Sequence, residues 1–284
     1  MEVKGCSIDK LTIVGELKTD LEPLFQNVIN DSRHVYLSKS MTSLAEGKFF
    51  NDLDNSIYFS FDAIRGKLLE RRNFRMEFNP SKINSEQSVF IKKEIMPLLT
   101  DVGFSRMDIA LDVSEDLSNY HIEITGRKRG IYLGRDGSLE TLYIGTRRSN
   151  VMIRLYDKKK QLLEEEKKEI EDKVLWRLEY ELRGSDVIEL LMENGFENII
   201  DSRIIRYDYS SLSPIDTILV KAMIDMPNDF SKLSKTKRYD IRKKSKLCAG
   251  DDVAPILRKE VKKNNPLILS ELKGYTQNSI RIFQ

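Results

Sequence analysis

One stretch decides how this sequence is interpreted: Val151-Met152-Ile153-Arg154-Leu155-Tyr156-Asp157-Lys158-Lys159-Lys160. Its alternation predicts a strand with apolar side chains on one face and Arg154, Tyr156 and Lys158 on the other. A phenol between two cations suits a phosphodiester, because the cations bind phosphate oxygens and reduce the cost of ionising a phenol whose ordinary pKa is about 10. The stretch therefore predicts a sheet strand that carries a nucleophile. An amphipathic strand with a solvated polar face is the alternative.

Alternation also gathers charged side chains on one face of two further predicted strands, at 107–113 and 176–183. These side chains are Asp108, Asp112, Arg177, Glu179 and Glu181. Convergent carboxylates are the oxygen ligands that Mg²⁺ or Mn²⁺ prefers, and such an ion would polarise a scissile phosphate. Arg154 and Arg177 are candidates to hold the nonbridging phosphate oxygens. The alternative is a ladder of cross-strand ion pairs between the acids and the arginines.

The composition is that of a globular protein. The chain has 284 residues, of which 40% are hydrophobic and 32% are charged. No stretch approaches the roughly 20 apolar residues of a membrane span, and the first residues lack the apolar core of a secretory signal. Cys6 and Cys248 are too far apart in sequence to suggest a disulfide framework or a zinc site. We therefore expect a cytoplasmic protein with no membrane partner.

The net charge of +2 conceals a basic C-terminal part. Residues 228–284 contain 14 Lys/Arg and 6 Asp/Glu. The densest stretch predicts contact with the phosphate backbone of nucleic acid, and a solvated basic linker is the alternative. Its candidate DNA-binding residues are Lys232, Lys235, Lys237, Arg238, Arg242, Lys243, Lys244 and Lys246.

The order of predicted elements indicates an α+β fold. We expect an antiparallel-sheet catalytic region over residues 1–210, followed by a basic helical part over 211–284. In the helical part, 254–263 and 266–273 are predicted as two short helices that Asn264-Asn265 joins.

A weak internal duplication is also predicted, between residues 7–100 and 105–200. Each part contains an Arg-x-Glu strand before a helix, namely Arg75-Met76-Glu77-Phe78 and Arg177-Leu178-Glu179-Tyr180. Two related antiparallel sheets with helices on their outer faces would result.

Four segments together resemble the Rep-trans family of plasmid and phage rolling-circle replication initiators. The family includes staphylococcal-type plasmid initiators, filamentous-phage initiators and related relaxases. The matching segments occur in the family's order and are Phe74–Lys82, Arg106–Asp112, Tyr143–Lys159 and Trp176–Gly184. They lie within about residues 7–200, and the sequence has no clear N-terminal helix-turn-helix domain, which leaves open which element recognises the origin.

The resemblance implies a metal-dependent enzyme that nicks and rejoins DNA. Tyr156 would attack the phosphate and retain the 5′ end as a phosphotyrosine, and residues matching Asp108, Asp112 and Glu179 would hold Mg²⁺ or Mn²⁺. Glu181 is a further candidate ligand. We expect a homodimer whose partners are double-stranded origin DNA, the nicked single strand and a host helicase. A conjugative relaxase and a DNA-binding regulator that never cuts are the alternatives.

Overall fold

A computed structural model describes residues 1–17, 22–31, 34–41, 44–50, 56–69, 71–124, 126–165 and 167–276. The main body is one sheet of ten strands, whose buried apolar side chains form the main core together with those of several helices. The strands of the first half are β1 (Val3–Leu17), β2 (Val35–Met41), β3 (Leu44–Phe49), β4 (Ile57–Asp62) and β5 (Phe74–Phe78). Those of the second half are β6 (Leu99–Val113), β8 (Arg129–Leu133), β9 (Leu139–Ile144), β10 (Val151–Asp157) and β11 (Trp176–Arg183), and β7 (Tyr120–Ile122) lies outside this sheet. The predicted α+β class is confirmed.

The two halves of the sheet have the same strand order. From the centre outward, the first half runs β1, β5, β4, β3, β2 and the second runs β6, β11, β10, β9, β8. β1 and β6 pair antiparallel along most of their length and join the halves into one continuous sheet. The halves are therefore related by an approximate two-fold axis that passes between β1 and β6.

The helices are distributed over the whole chain. They are α1 (Glu22–Asp31), α2 (Ala63–Leu68), α3 (Ser85–Phe90), α4 (Lys158–Glu164), α5 (Ser185–Asn194), α6 (Pro214–Asp225), α7 (Pro227–Ser231), α8 (Lys235–Cys248) and α9 (Ala254–Thr276). A π-helical turn (Ile91–Ile95) and a 3₁₀ turn (Met96–Leu98) extend α3, and a second 3₁₀ turn, Phe196–Ile199, follows α5. In the described part of the chain, no helix is both long enough and apolar enough to cross a bilayer.

The apolar face of the sheet forms the main core. Leu178, Tyr180 and Leu182 of β11 are at most 1% exposed and pack with Ile109 of β6 and Ile153 of β10. Because side chains alternate along a strand, burial of this set turns the intervening charged side chains toward the opposite face. The position of the candidate site therefore follows from packing of the core.

The predicted pair of short C-terminal helices is wrong, because α9 is one helix of 23 residues with Pro266 inside it. Its buried side chains Leu257, Val261, Ile268 and Leu272 recur at helical spacing on one side and pack in the main core. Burial of this continuous stripe outweighs the hydrogen bond that a proline removes from a helix interior.

A second, smaller core lies before α9. It includes Ile205, Val220, Phe230, Ile241 and Cys248 and lies beside a three-stranded sheet of β7, β12 (Ile204–Tyr207) and β13 (Ala249–Asp252). The residues after 210 thus divide between this core and the main core, which α9 joins. The boundary that we placed at residue 210 stays a prediction.

Candidate functional site

The candidate residues from three separate segments lie on adjacent strands. β11 lies between β6 and β10, and its register places Glu179 opposite Arg154 and Arg177 opposite both Tyr156 and Asp112. The turn before β10 depends on Gly145, whose φ of +103° favours glycine and where a Cβ would lie 3.0 Å from the Val151 carbonyl oxygen. Sheet pairing therefore brings together side chains that are up to 73 residues apart in sequence.

One end of the site is an arginine-bridged pair of carboxylates. Arg106 donates from Nε and Nη2 to the two carboxylate oxygens of Asp108, at 2.8 and 2.6 Å, and also from Nη2 to Glu181 Oε2 at 2.6 Å. Arg183 donates to the other oxygen of Glu181. Asp108 and Glu181 are buried, and their charge is matched by arginines on their own strands.

The other end of the site is organised by Arg177. Its Nε and Nη2 donate to the two oxygens of Asp112 at 2.6 and 2.8 Å, and its Nη1 donates to Asp9 Oδ1 at 2.7 Å. The Arg177 side chain is only 9% exposed, and its two partners are about one-quarter exposed. Arg177 thus joins three strands, because Asp9 belongs to β1.

Tyr156 and Glu179 lie between these two ends. The Tyr156 hydroxyl donates to Glu179 Oε2 at 3.4 Å, and both side chains are buried. The Arg154 guanidinium lies over the Tyr156 ring, 4.1 Å from its centroid. Lys158 Nζ is 6.0 Å from the same centroid and donates to Gln161. The four predicted catalytic residues, Tyr156, Arg154, Lys158 and Arg177, are therefore brought together.

Arg154 retains unused hydrogen-bonding capacity. Its Nε is buried and has no hydrogen-bond partner among the described residues. A buried donor without an acceptor is costly, so this atom is suited to an incoming acceptor such as a phosphate oxygen.

The electrostatics of Tyr156 differ from our expectation. Burial raises the pKa of Tyr156 above its ordinary value, and Glu179 adds to the rise, whereas Arg177 and Arg154 only partly offset it. Arg177 and Arg154 do lower the pKa of the phenol, as expected of nearby cations, but burial outweighs them. Here the phenol is a neutral hydrogen-bond donor.

Two carboxylates of the site also have raised pKa values. Burial raises the pKa of Asp108 to about 7, against the opposing effect of Arg106 and with the help of nearby Glu179 and Glu181. Burial and Asp9 raise the pKa of Glu179. Both groups are in surroundings where an additional positive charge would be stabilising.

The four predicted metal ligands differ in their fitness to hold a cation. Three of them, Asp108, Asp112 and Glu181, already accept hydrogen bonds from arginines at both carboxylate oxygens. Glu179 forms no arginine ion pair that the structure describes, and Asp108 shares Arg106 with Glu181. Among the described residues, no group of three or more His, Cys, Asp or Glu side chains is arranged to hold a metal ion. Asp108, Asp112 and Glu181 thus belong to the ion-pair ladder that we gave as the alternative. The donor chemistry of Glu179 and Asp108 fits Mg²⁺ or Mn²⁺, and for Asp108 to bind the ion Arg106 would have to give up at least one of its two hydrogen bonds to this carboxylate.

The predicted basic stretch lies mostly on α8, and Lys232 precedes this helix at the end of α7. Ser234 caps the helix, because its hydroxyl accepts a hydrogen bond from the Lys237 backbone N–H. Two residues of the set have acidic partners: Lys244 Nζ lies 2.8 Å from Asp216, and Lys232 Nζ lies 2.7 Å from Asp229. The exposed cations for which the described residues supply no acidic partner are Lys235, Lys237, Arg242, Lys243 and Lys246. The basic stretch is therefore an ordered helix and not an irregular linker.

Three members of the site are not among the predicted site residues. Asp9, Arg106 and Arg183 complete the two ion-pair groups, and the signal for Arg106 and Arg183 was present, because both lie two residues from a predicted ligand on the same strand face. Two further tyrosines of the family-matching segments, Tyr180 and Tyr143, are alternatives to Tyr156 as the nucleophile. Tyr180 points into the apolar core and is 0% exposed, whereas Tyr143 lies opposite Arg154 on β9.

Comparison with known proteins gives two family matches. Residues 10–99 match the model described as "Replication initiation protein, N-terminal", and residues 119–263 match the model described as "Replication initiation factor". Together the matched segments correspond to much of both halves of the sheet.

Full-length relatives give the same description. Two proteins of Staphylococcus aureus are named "Replication initiation protein". The first is 27% identical over 94% of this chain and 83% of its own length. The second is 28% identical over 97% of this chain and 86% of its own length. A solved rolling circle replication initiator protein from Geobacillus stearothermophilus aligns with a TM-score of 0.44 and 14% identity, over 74% of this chain and 90% of that one.

Proposed function

The chain belongs to the replication initiation factor family, and from this premise we propose that it initiates rolling-circle replication by nicking and rejoining one DNA strand at Tyr156. The observation that carries the proposal is the placement of Tyr156 between Arg154 and Glu179, beside Arg177. This arrangement has a nucleophile, a proton acceptor and two guanidiniums for phosphate oxygens on one sheet face.

In the proposed reaction, the Tyr156 Oη attacks the phosphorus of the scissile phosphodiester. The bond between phosphorus and the 3′ oxygen breaks, the 5′ end becomes a phosphotyrosine, and the leaving 3′ oxygen takes up a proton. Glu179 Oε2 accepts the phenolic proton, since it is the acceptor of the Tyr156 hydroxyl. Attack by the 3′ hydroxyl on the phosphotyrosine reverses these steps, so that rejoining needs no nucleotide cofactor.

Arginines supply the charge that the phosphate needs. Arg154 offers the unused Nε, and Arg177 is held in position by Asp112 and Asp9. Asp108 and Glu179 are the residues that would hold Mg²⁺ or Mn²⁺, and when bound such an ion would polarise the phosphate and stabilise charge on the leaving oxygen.

The burial of Tyr156 gives the reaction a prerequisite. Its side chain is 3% exposed and lies under the Arg154 guanidinium. We infer that Arg154 moves from the ring to the phosphate when DNA binds, which uncovers the phenol. If Arg154 never leaves the ring, the chain would be the non-cutting DNA-binding regulator that is the second candidate.

Transfer of a label to the protein tests this function. We would incubate the protein with Mg²⁺ and a single-stranded oligonucleotide that carries the nick site, labelled at its 3′ or its 5′ end. A 5′-phosphotyrosine retains the 3′ portion of the strand, so only the 3′ label should migrate with the protein in a denaturing gel.

Two variants locate the nucleophile. Tyr156→Phe should abolish label transfer, because only the attacking oxygen is removed. Tyr143→Phe is the matched control, since Tyr143 lies on the next strand and also neighbours Arg154, and it should retain transfer. Label transfer by Tyr156→Phe, or transfer of the 5′ label, would contradict the proposal.

A further inference from the structure

The two-fold relation between the halves assigns each residue of the candidate site a counterpart in the first half. In β10–β11, Tyr156 lies opposite Arg177 and Arg154 lies opposite Glu179. In β4–β5, Ser60 lies opposite Arg75 and Tyr58 lies opposite Glu77. The two Arg-x-Glu segments occupy equivalent strands, so Arg75 corresponds to Arg177 and Glu77 corresponds to Glu179. By the same register, Ser60 corresponds to Tyr156. A hydroxyl thus remains at the nucleophile position, but it is an aliphatic one.

The central strands complete the comparison. Val14 of β1 lies opposite Arg75, just as Asp112 of β6 lies opposite Arg177. Counting along the same strands makes Lys10 the counterpart of Asp108, and these two residues pair with each other across the centre of the sheet. The first half therefore has an ammonium group, that of Lys10, where the second half has the Asp108 carboxylate. It has the apolar side chain of Val14 where the second half has the Asp112 carboxylate.

Lys10 changes the chemistry of the first half. Its Nζ lies 2.6 Å from Glu77 Oε1, and Arg75 Nη2 lies 2.7 Å from Glu77 Oε2. Although burial alone would raise it, these two cations lower the pKa of Glu77 to about 2. The carboxylate that corresponds to Glu179 is thus already neutralised by side chains of the protein and has no need of a metal ion.

Because the apolar Val14, and not an acid, lies opposite Arg75, the Arg75 side chain is accessible. The Arg75 side chain is 51% exposed, whereas that of Arg177, held by two aspartates, is 9% exposed. Ser60, Val14 and Arg75 line a cleft of about 690 Å³. The cleft also contains Arg71, Arg72 and Asn73, together with the acids Glu46, Asp62 and Asp101, and Arg72 is paired with Asp101 at 2.8 Å.

We propose that this cleft is a second, non-catalytic site that binds one nucleotide of an unpaired DNA strand. The proposal rests on the proposed function, since it extends the strand path from the nicking site along the same face of the sheet. Arg75 and Arg71 bind the phosphate, and the mixture of acids, amide and hydroxyl offers both donors and acceptors to a base edge. Ser60 lacks the phenol, and Lys10 occupies the position of Asp108, so this half holds the strand and does not cut it.

The distance between the two sites suits a single strand of DNA that contacts both of them. β4 and β10 are five strand positions apart in the sheet, which corresponds to roughly 24 Å at about 4.8 Å per position. A strand of a few nucleotides spans this distance, so the second site would hold DNA on one side of the nick while Tyr156 holds the 5′ end.

Binding of single-stranded DNA tests the proposal without cleavage. The parent protein is the 284-residue chain with Tyr156→Phe, and binding of fluorescein-labelled dT20 is followed by fluorescence anisotropy. Arg71→Gln with Arg75→Gln should raise the Kd for dT20 about tenfold or more, because two charge-assisted contacts are lost. The matched control is Lys259→Gln with Lys262→Gln, which removes the same charge from exposed positions of α9 and should change the Kd less than about threefold.

A substitution at Val14 tests the equivalence itself. Val14→Asp places a carboxylate opposite Arg75, as Asp112 lies opposite Arg177, and should weaken dT20 binding much as loss of the arginines does. Val14→Asn matches it in shape and should weaken binding far less. Equal Kd values for these two variants, or an arginine double variant no weaker than the lysine control, would overturn the second site.

The outcome is separable from that of the proposed function. Suppose that the 3′ label is not transferred to Tyr156 but that the arginine double variant binds dT20 more weakly, as expected. This result would contradict the nicking function and leave the second site supported. Normal label transfer, together with an unchanged Kd of the arginine double variant for dT20, would contradict the second site and leave the nicking function supported.

Discussion

Removal of Arg177 should destabilise the protein strongly, since three charge-assisted hydrogen bonds meet at this side chain. Arg177→Gln would remove the bonds of 2.6 and 2.8 Å to Asp112 and of 2.7 Å to Asp9. Each such bond is worth about 1.5–3 kcal/mol, and breaking a buried ion pair costs about 3–5 kcal/mol. Both aspartates are about one-quarter exposed and recover some hydration, so we expect a loss of about 3 kcal/mol, or roughly 6–12 °C in Tm.

A double-mutant cycle measured by urea unfolding in the presence of chelator tests this value. Asp112→Asn combined with Arg177→Gln should be less destabilised than the sum of the two single variants, because no unpaired charge then remains at that pair. A loss below about 1 kcal/mol, or a coupling energy near zero, would refute the view that Arg177 holds the site together.

Three further predictions concern the metal, the basic helix and pH. Asp108→Asn should reduce Mg²⁺-dependent nicking on the order of 100-fold while it leaves the Kd for dT20 within about twofold, and full nicking in excess chelator would contradict a metal role. Arg242→Ala with Lys243→Ala should lower the slope of log Kd for duplex DNA against log salt by up to about 1.8, and an unchanged slope would show that α8 does not contact phosphates. Burial and nearby cations lower the pKa of His121 to about 4 from an ordinary value near 6.5, so the unfolded state binds more protons between these values. Stability should therefore fall as pH decreases from 6.5 to 4, by at most about 3 kcal/mol, and His121→Asn should remove this component in urea unfolding at pH 7 and pH 5.

Alternation predicted the strands that carry the site and which of their faces is polar, although Asp9, Arg106 and Arg183 were not among the predicted site residues. Asp108, Glu179 and Tyr156 were placed on the correct side of their strands because apolar neighbours fill the other side. The Arg-x-Glu repeat likewise indicated two related halves. These features depend on local period, which one strand displays without knowledge of its neighbours.

Pairing between strands was not predictable in the same way. Asp9 reaches Arg177 only because β1 lies beside β6, and the order of strands is not encoded in the period of any single one. The state of Tyr156 was misjudged for a related reason, because flanking cations were visible in the sequence while the depth of burial was not. Pro266 led to the opposite error, because a proline usually ends a helix and we predicted a break there. Packing of buried side chains along α9 keeps the helix continuous through Pro266.

The antiparallel pairing of β1 with β6 has a consequence for how the chain reaches its native state. Partners in this ladder, such as Lys10 and Asp108, are about a hundred residues apart in sequence, so the centre of the sheet closes only after the whole first half and β6 have been synthesised. Contacts of such long range slow folding. A fragment that ends before β6 would present the unpaired edge of β1, a 15-residue strand, and long exposed edges of this kind recruit other chains. The first half expressed alone should therefore aggregate, and co-expression with the second half should return it to solution as a complemented pair.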